Sequence, residues 1–433
     1  MLINLFISAA FIWILLVAVY RILVLAGVPI TFTNKKILSY LKPSAILTEE
    51  PTKRDYVILA MEAFTFRIIV YICSALAIFL FSKSGENFHL STFLDSWHQW
   101  DASNYIRIAT GGYTFWLENG EPTTLVFFPL YAWLIKLGYV IFRNYDVSAM
   151  VISTICYTIG ILYMFGFVAG EYGKSVAYKA VLYLSIFPFG FFFGAMMPES
   201  VFLLTSSAFL YYLRKHNWYL VAVFGFLSSL SRMQGVLLLI PAGIEWLECY
   251  RPIEKIVKKN WKEFFSSLPM LLLLCSSLIG TGIYLFINYL VAGDCFKFLQ
   301  LQETVWNHHY EYVGSAVSRI FDYLFADSVS MSMKVAVWLP EAVIVVLTVV
   351  LLLYGVNKHK PKYTLYLTAY TIISFSASYI LSGGRYMSVA IPLFIILAKW
   401  LDEKTHLHRL YVAFSLFLMF LYMTGYLLGY QIM

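Results

Sequence analysis

Runs of about 20 consecutive apolar residues recur along this chain, and a run of that length matches the thickness of a bilayer's hydrocarbon core. In lipid every backbone N–H and C=O must be satisfied within the protein, so such runs have to be helical. Of the 433 residues 61% are hydrophobic and only 13% charged, whereas a soluble domain is about a quarter charged. A transmembrane β-barrel would alternate polar and apolar residues, and no such alternation is visible. The expectation is an all-α polytopic membrane protein. Its net charge of +7 comes mainly from Lys/Arg clusters between the apolar runs. These read as anchors on the positive-inside rule and not as a nucleic-acid surface. The five cysteines, Cys73, Cys156, Cys249, Cys275 and Cys295, show no metal spacing and imply no disulfide framework.

Apolar spans are expected near 3–28, 61–82, 148–169, 180–197, 200–213, 217–231, 235–249, 264–292, 333–356, 364–382, 385–400 and 410–430, about twelve by length. The first lacks a basic leader and reads as a retained helix, not a signal peptide. Short spans such as 200–213 suggest packing around a polar cavity. The segment 125–142 decides the topology. If it crosses the bilayer, Arg214-Lys215-His216, the run Arg251 to Lys262, and Lys358, Lys360 and Lys362 face outside. If it is a partly buried helix of the first outer loop, those groups face the cytoplasm, with Lys35, Lys36, Lys42, Lys53 and Arg54. The positive-inside rule favours the second arrangement. Asp101, Glu199, Arg232, Asp294 and Arg385 then gather near the outer face. The two long outer loops, 83–125 and 293–332, are aromatic-rich and expected to carry interfacial helices.

Residues 97–133, WHQWDASNYIRIATGGYTFWLENGEPTTLVFFPLYAW, form the most polar stretch. Asp95-Ser96 can cap a helix over 96–110 that Gly111-Gly112 ends. On it Trp97, Asp101 and Asn104 share a face, as do Asp101 and Tyr105. Asp101 is either a general base for an acceptor hydroxyl or an acid that favours the helix dipole. Pro198-Glu199-Ser200 restarts a helix, with Glu199 serving as a helix-start acid or as a ligand for a sugar hydroxyl. Arg232 and Arg385 sit beside glycines, where an Arg suits bidentate phosphate binding or snorkels to the interface. Asp294 stands at the mouth of a long loop that also holds His308-His309 and can be a plain turn residue. Neither that pair nor His98/Asp101 makes a metal ligand set, so neither metal nor cofactor is expected.

In order along residues 60–400, several segments resemble the PIG-V family of mannosyltransferases. They are WDASNYIRIATGGY with FFPLY, PFGFFFGAMMPESVFLL, LSSLSRMQGVLLLIP, GDCFKFLQLQETVW and SGGRYMSVAIPLF. Gln99 replaces a frequent basic residue and Ser231 a Thr. The resemblance implies a GT-C-type fold: multi-spanning, with two long outer loops, acting on polyprenyl-phosphate sugars, usually inverting, with a first-loop acid as base. It therefore implies Asp101 as the catalytic base. Arg232 and Arg385 would contact the donor phosphate, and Trp100, Asn104, Tyr105, Glu199 and Asp294 the sugar or acceptor. Trp97 and Tyr113 are further aromatics for sugar stacking. Residues 1–59 read as an added N-terminal helix and basic cytoplasmic segment, and 60–433 as the transferase domain. The expected activity moves a hexose, mannose first, from a polyprenyl-phosphate carrier to a glycolipid, wall polymer or other acceptor. Rivals are a lipid or oligosaccharide transporter, for which no internal repeat is found, and a non-catalytic subunit of a transferase complex. LLGYQIM carries no endoplasmic-reticulum retrieval signal, so a bacterial plasma membrane is preferred over the endoplasmic reticulum.

Overall fold

A computed structural model describes residues 2–26, 50–81, 89–378 and 381–432. Lys35, Lys36 and Lys42, the start of the first outer loop at 82–88, and residues 379–380 of the expected span 364–382 lie outside the described residues. Within them the chain is helical, with isolated bridges and no strand. Six helices are long and apolar enough to cross a membrane: Ile3–Leu25, Lys53–Phe81, Tyr145–Tyr172, Trp261–Ala292, Met331–Gly355 and Thr405–Leu427. The protein is a polytopic all-α membrane protein.

The elements follow in order. α1 is Leu2–Leu25, α2 Lys53–Phe81, α3 Leu90–Trp97 and α4 Ala102–Gly111. α5 is Pro129–Phe142, α6 Tyr145–Tyr172, α7 Lys174–Ser185 and α8 Glu199–Arg214. α9 is Trp218–Ser231, α10 Leu239–Tyr250, α11 Pro252–Val257 and α12 Trp261–Cys275. α13 is Ser277–Ala292, α14 Lys297–Trp306, α15 Val313–Phe325 and α16 Leu339–Gly355, the last preceded by a π turn at Lys334–Trp338. α17 is Pro361–Phe375, α18 Gly383–Met387, α19 Ile391–Trp400 and α20 Thr405–Leu427.

α6 and α8 pack along each other in the middle of the bundle, and α9 covers α8. Twelve of the 16 residues of α8 are buried. α2 and α20, by contrast, expose apolar rows, among them Ile68, Ile72, Leu76, Leu410, Phe414 and Phe417. In water such rows would be costly; against acyl chains they are the expected outer surface. α5 has 14 residues, about 21 Å at 1.5 Å per residue, shorter than a hydrocarbon core of about 30 Å.

The expected span 180–197 is not one helix. α7 stops at Ser185, and residues 186–198 run as turns and a 3-10 stretch, Gly190–Gly194. Pro188 lacks an N–H and restricts the residue before it, so the helix cannot continue. Non-helical backbone at this depth needs partners. Arg67 of α2, fully buried, donates to the Gly190 carbonyl at 3.0 Å. Tyr71 reaches Gly194 O at 2.9 Å, Ser153 Oγ reaches Ala195 O at 2.9 Å, and Ser200 Oγ reaches Phe193 O at 2.7 Å. These bonds fix the segment that delivers Glu199 to the centre of the bundle.

Candidate active site

The expected helix 96–110 is broken. α3 ends at Trp97, α4 starts at Ala102, and Trp100 between them has a φ of 52°. Trp97 is fully buried, its indole N–H on Ser74 Oγ at 3.2 Å and its carbonyl held by Tyr426 at 3.1 Å. That anchorage ends α3, so Trp97 does not share a helix face with Asp101. Tyr113 is also buried, its hydroxyl on Phe127 O at 2.7 Å. Both lie outside the cavity wall. Gly112, at φ 75°, ends α4 as expected.

Asp101 stands at the N-cap of α4 yet caps nothing. A cap Asp ordinarily accepts a helix N–H; here the carboxylate turns to a cation 284 positions away, with Arg385 Nη2 to Asp101 Oδ2 at 2.7 Å. Arg385 Nε lies 3.3 Å from Glu199 Oε1, and Arg232 Nη1 donates to the same oxygen at 2.9 Å. Two carboxylates and two guanidinium groups thus form one neutral chain, Asp101–Arg385–Glu199–Arg232. Glu199 is 0% exposed, Arg385 4% and Arg232 7%. The Tyr386 ring lies 4.9 Å from the Arg232 guanidinium and 5.3 Å from that of Arg385. At such depth single charges are costly and paired ones tolerated.

This chain opens on a cavity of about 400 Å³ lined by Trp100, Asp101, Asn104, Tyr105, Arg232 and Arg385, among others. The structure therefore brings together six of the eight expected site residues. Glu199 stands behind the arginines, outside the lining, because α8 starts deep in the bundle; its carboxylate pairs with both of them. Asp294 does not line the cavity either. Its Oδ1 accepts the Phe296 N–H at 2.8 Å and its Oδ2 the Gln300 amide at 2.9 Å, so it shapes the turn before α14. His98 faces Asp146 at 3.2 Å, not a metal partner at Asp101.

Sequence reading missed the far wall, built by Gln302, Trp306, His308 and Tyr310. The loop after α14 is stitched to the end of α17: Glu311 N–H donates to Ser376 O at 2.7 Å and Ser378 N–H to His309 O at 2.8 Å. Burial and neighbouring His309 hold the His308 imidazole below its ordinary pKa. Glu341 was missed too. A lone acid inside an apolar run, AVWLPEAVIV, was the available signal. Fully buried on α16, its carboxylate accepts the Gly384 N–H at 3.2 Å. A methyl on Gly383 would lie 2.0 Å from Glu341 Oε2. Gly383→Ala is therefore expected to displace the turn that carries Arg385, costing about 1–3 kcal/mol as overpacking does and lowering activity. Gly243→Ala, which meets nothing within 4 Å, serves as the control in a melting and turnover comparison.

Residues 122–279 match the family model of dolichyl-phosphate-mannose-protein mannosyltransferases. The stretch contains Glu199 and Arg232 and ends well before Arg385. No curated protein sequence matches the chain. Among solved structures the chain is similar to ArnT from Cupriavidus metallidurans bound to undecaprenyl phosphate, with 14% identity, TM-score 0.49, and 84% of this chain and 77% of that one covered. It is also similar to the oligosaccharyltransferase of Archaeoglobus fulgidus in the apo form, with 13% identity, TM-score 0.43, and 85% and 56% covered. It thus spans just over half the length of that enzyme.

Proposed function

We propose that the chain is a GT-C-type, inverting glycosyltransferase of the PIG-V kind that moves a hexose, mannose first, from a polyprenyl-phosphate carrier to an acceptor hydroxyl. The observation that carries this reading is the ion-pair chain Asp101–Arg385–Glu199–Arg232, in which Asp101, Arg385 and Arg232 line one cavity. The mannosyltransferase family match over 122–279 supports it. Asp101, the most exposed of the four at 23% of its side chain, takes the proton of the acceptor hydroxyl. The hydroxyl oxygen attacks the anomeric carbon from the face opposite the phosphate, and the C–O bond to the carrier phosphate breaks. Charge gathers on the leaving phosphate, where Arg232 and Arg385 stabilise it. Trp100, Asn104 and Tyr105 line the space for sugar and acceptor. Neither metal nor cofactor enters this scheme. Residues 1–59 are an N-terminal addition to the catalytic domain at 60–433.

The cavity faces outside, in a bacterial plasma membrane. α8 supports this orientation: it runs from Glu199, behind the cavity's arginines, to Arg214, which shares Glu171 with Lys360, so basic groups collect at the opposite end. A cysteine introduced at Asn119 should label from outside and one at Asn260 only after permeabilisation; the reverse pattern overturns the orientation. The function is tested by supplying purified protein with a synthetic polyprenyl-phosphate hexose. Release of polyprenyl phosphate coupled to a glycosylated product is expected. A transporter or a non-catalytic subunit releases none.

A further inference from the structure

At the end of the bundle opposite the cavity, three potential metal ligands meet. His216 lies in the α8–α9 turn, and Glu245 and Cys249 stand one helical turn apart on α10. His216 Nε2 is 2.8 Å from Glu245 Oε1 and 3.3 Å from Cys249 Sγ. All three ligand atoms lie within 4.8 Å of one another, the one such grouping found among the described residues. We propose that His216, Glu245 and Cys249 bind a thiophilic divalent metal ion, zinc first.

The geometry is close to what zinc requires. Bonds of about 2.0 Å to nitrogen and oxygen and about 2.3 Å to sulfur place tetrahedral ligand atoms roughly 3.3–3.5 Å apart. The sulfur–nitrogen separation already fits, the His216–Glu245 pair needs to open by about half an ångström, and Cys249 Sγ and Glu245 Oε1, within 4.8 Å of each other, have to settle near the same spacing on the ion. A thiolate, an imidazole and a carboxylate select zinc or cobalt over magnesium or calcium. The outer shell is also present. Lys362, 2% exposed, pairs with the other carboxylate oxygen, Glu245 Oε2, leaving Oε1 for a metal. The His216 ring stacks on Trp218 at 8° between planes, and His216 holds a left-handed φ of 51°. Such second partners fix ligand orientation, and losing one typically costs 10–100-fold in affinity. Binding replaces the thiol proton, so Cys249 S–H gives a metal–sulfur bond and one proton to water. His216 is half exposed, which leaves a fourth position for water. The metal would clamp the α8–α9 turn to α10. α8 alone, with 16 residues, separates this place from Glu199 by about 24 Å, so the clamp is independent of the proposed transfer chemistry.

The test uses the purified full chain, stripped with a chelator, then titrated with zinc chloride and separately with cobalt chloride. Expected are one zinc per chain with micromolar or tighter affinity, a rise in melting temperature, and a cobalt–thiolate charge-transfer band. His216→Ala and Cys249→Ser should each weaken zinc binding by at least about 100-fold, as loss of a ligand exceeds loss of a second-shell partner. The band should vanish in Cys249→Ser and persist in Cys295→Ser. His216 is a surface residue, so His216→Ala tests the site even if Cys249→Ser fails to fold. Absence of saturable binding, or binding and band unchanged in the His216 variant, overturns the proposal. Transfer from a polyprenyl-phosphate hexose by the stripped protein is a separate readout and is expected to persist.

Discussion

Asp101→Asn is expected to abolish most turnover while leaving the protein folded. Asn is nearly isosteric but cannot take the acceptor's proton, and loss of a general base typically costs about 10²–10⁴-fold in rate. The fold should tolerate the change because the amide oxygen still accepts from Arg385, and Arg385 keeps Glu199 at 3.3 Å. Asp101 is also the least buried of the four charges. Sugar transfer from a synthetic donor, measured beside melting temperature and donor affinity, checks this. Near wild-type transfer would remove the base role from Asp101. An unfolded variant would make it structural.

Glu199→Ala should have the largest effect on stability. Its Oε1 pairs with both Arg232, at 2.9 Å, and Arg385, at 3.3 Å. Removing it leaves Arg232, 7% exposed, without its carboxylate and opens a void in the bundle. Breaking a buried pair in this way costs about 3–5 kcal/mol. Glu199→Gln, which keeps an acceptor and the volume, should recover part of the stability. Thermal unfolding of the two variants in the same detergent decides it: an Ala variant as stable as the wild type would mean that Glu199 does not hold the arginines. The arginines themselves are separable. Arg232→Lys keeps charge but loses the planar fork, so a fall in donor affinity beyond what charge predicts is expected.

Much of the membrane fold is legible in the sequence because hydrophobic length is a local property. The span 148–169 lies within α6, and 217–231 and 410–430 fall largely on α9 and α20. The misreadings share a cause. Residues 180–197 look like a span because their side chains are apolar. Their backbone leaves the helix after Ser185, ahead of Pro188, and is held in part by Arg67, more than 100 positions earlier. The 96–110 helix looks continuous, but Trp97 is pinned by Ser74 and Tyr426 from outside the segment.

The site divides along the same line. Residue type and local punctuation determine that Asp101, Glu199, Arg232 and Arg385 are costly in an apolar chain and need a reason to be there. They do not determine which charge pairs with which. Glu199 reads as a helix-start acid or a ligand for a sugar hydroxyl, and the packing makes it the shared anion beneath two arginines. Asp294 reads as a sugar-contacting acid or a plain turn residue, and its carboxylate accepts within its own turn. Glu341 and the His216, Glu245 and Cys249 group pass unread, because each depends on how neighbouring elements fold back on one another, 29 to 43 positions apart. The sequence by itself determined a helical membrane protein with polar residues gathered at one end. Only the packing of the bundle decided the Asp101–Arg385–Glu199–Arg232 chain, because a buried ion pair is set by the angstrom-scale approach of helices up to 284 positions apart, and local pattern carries no information about that approach.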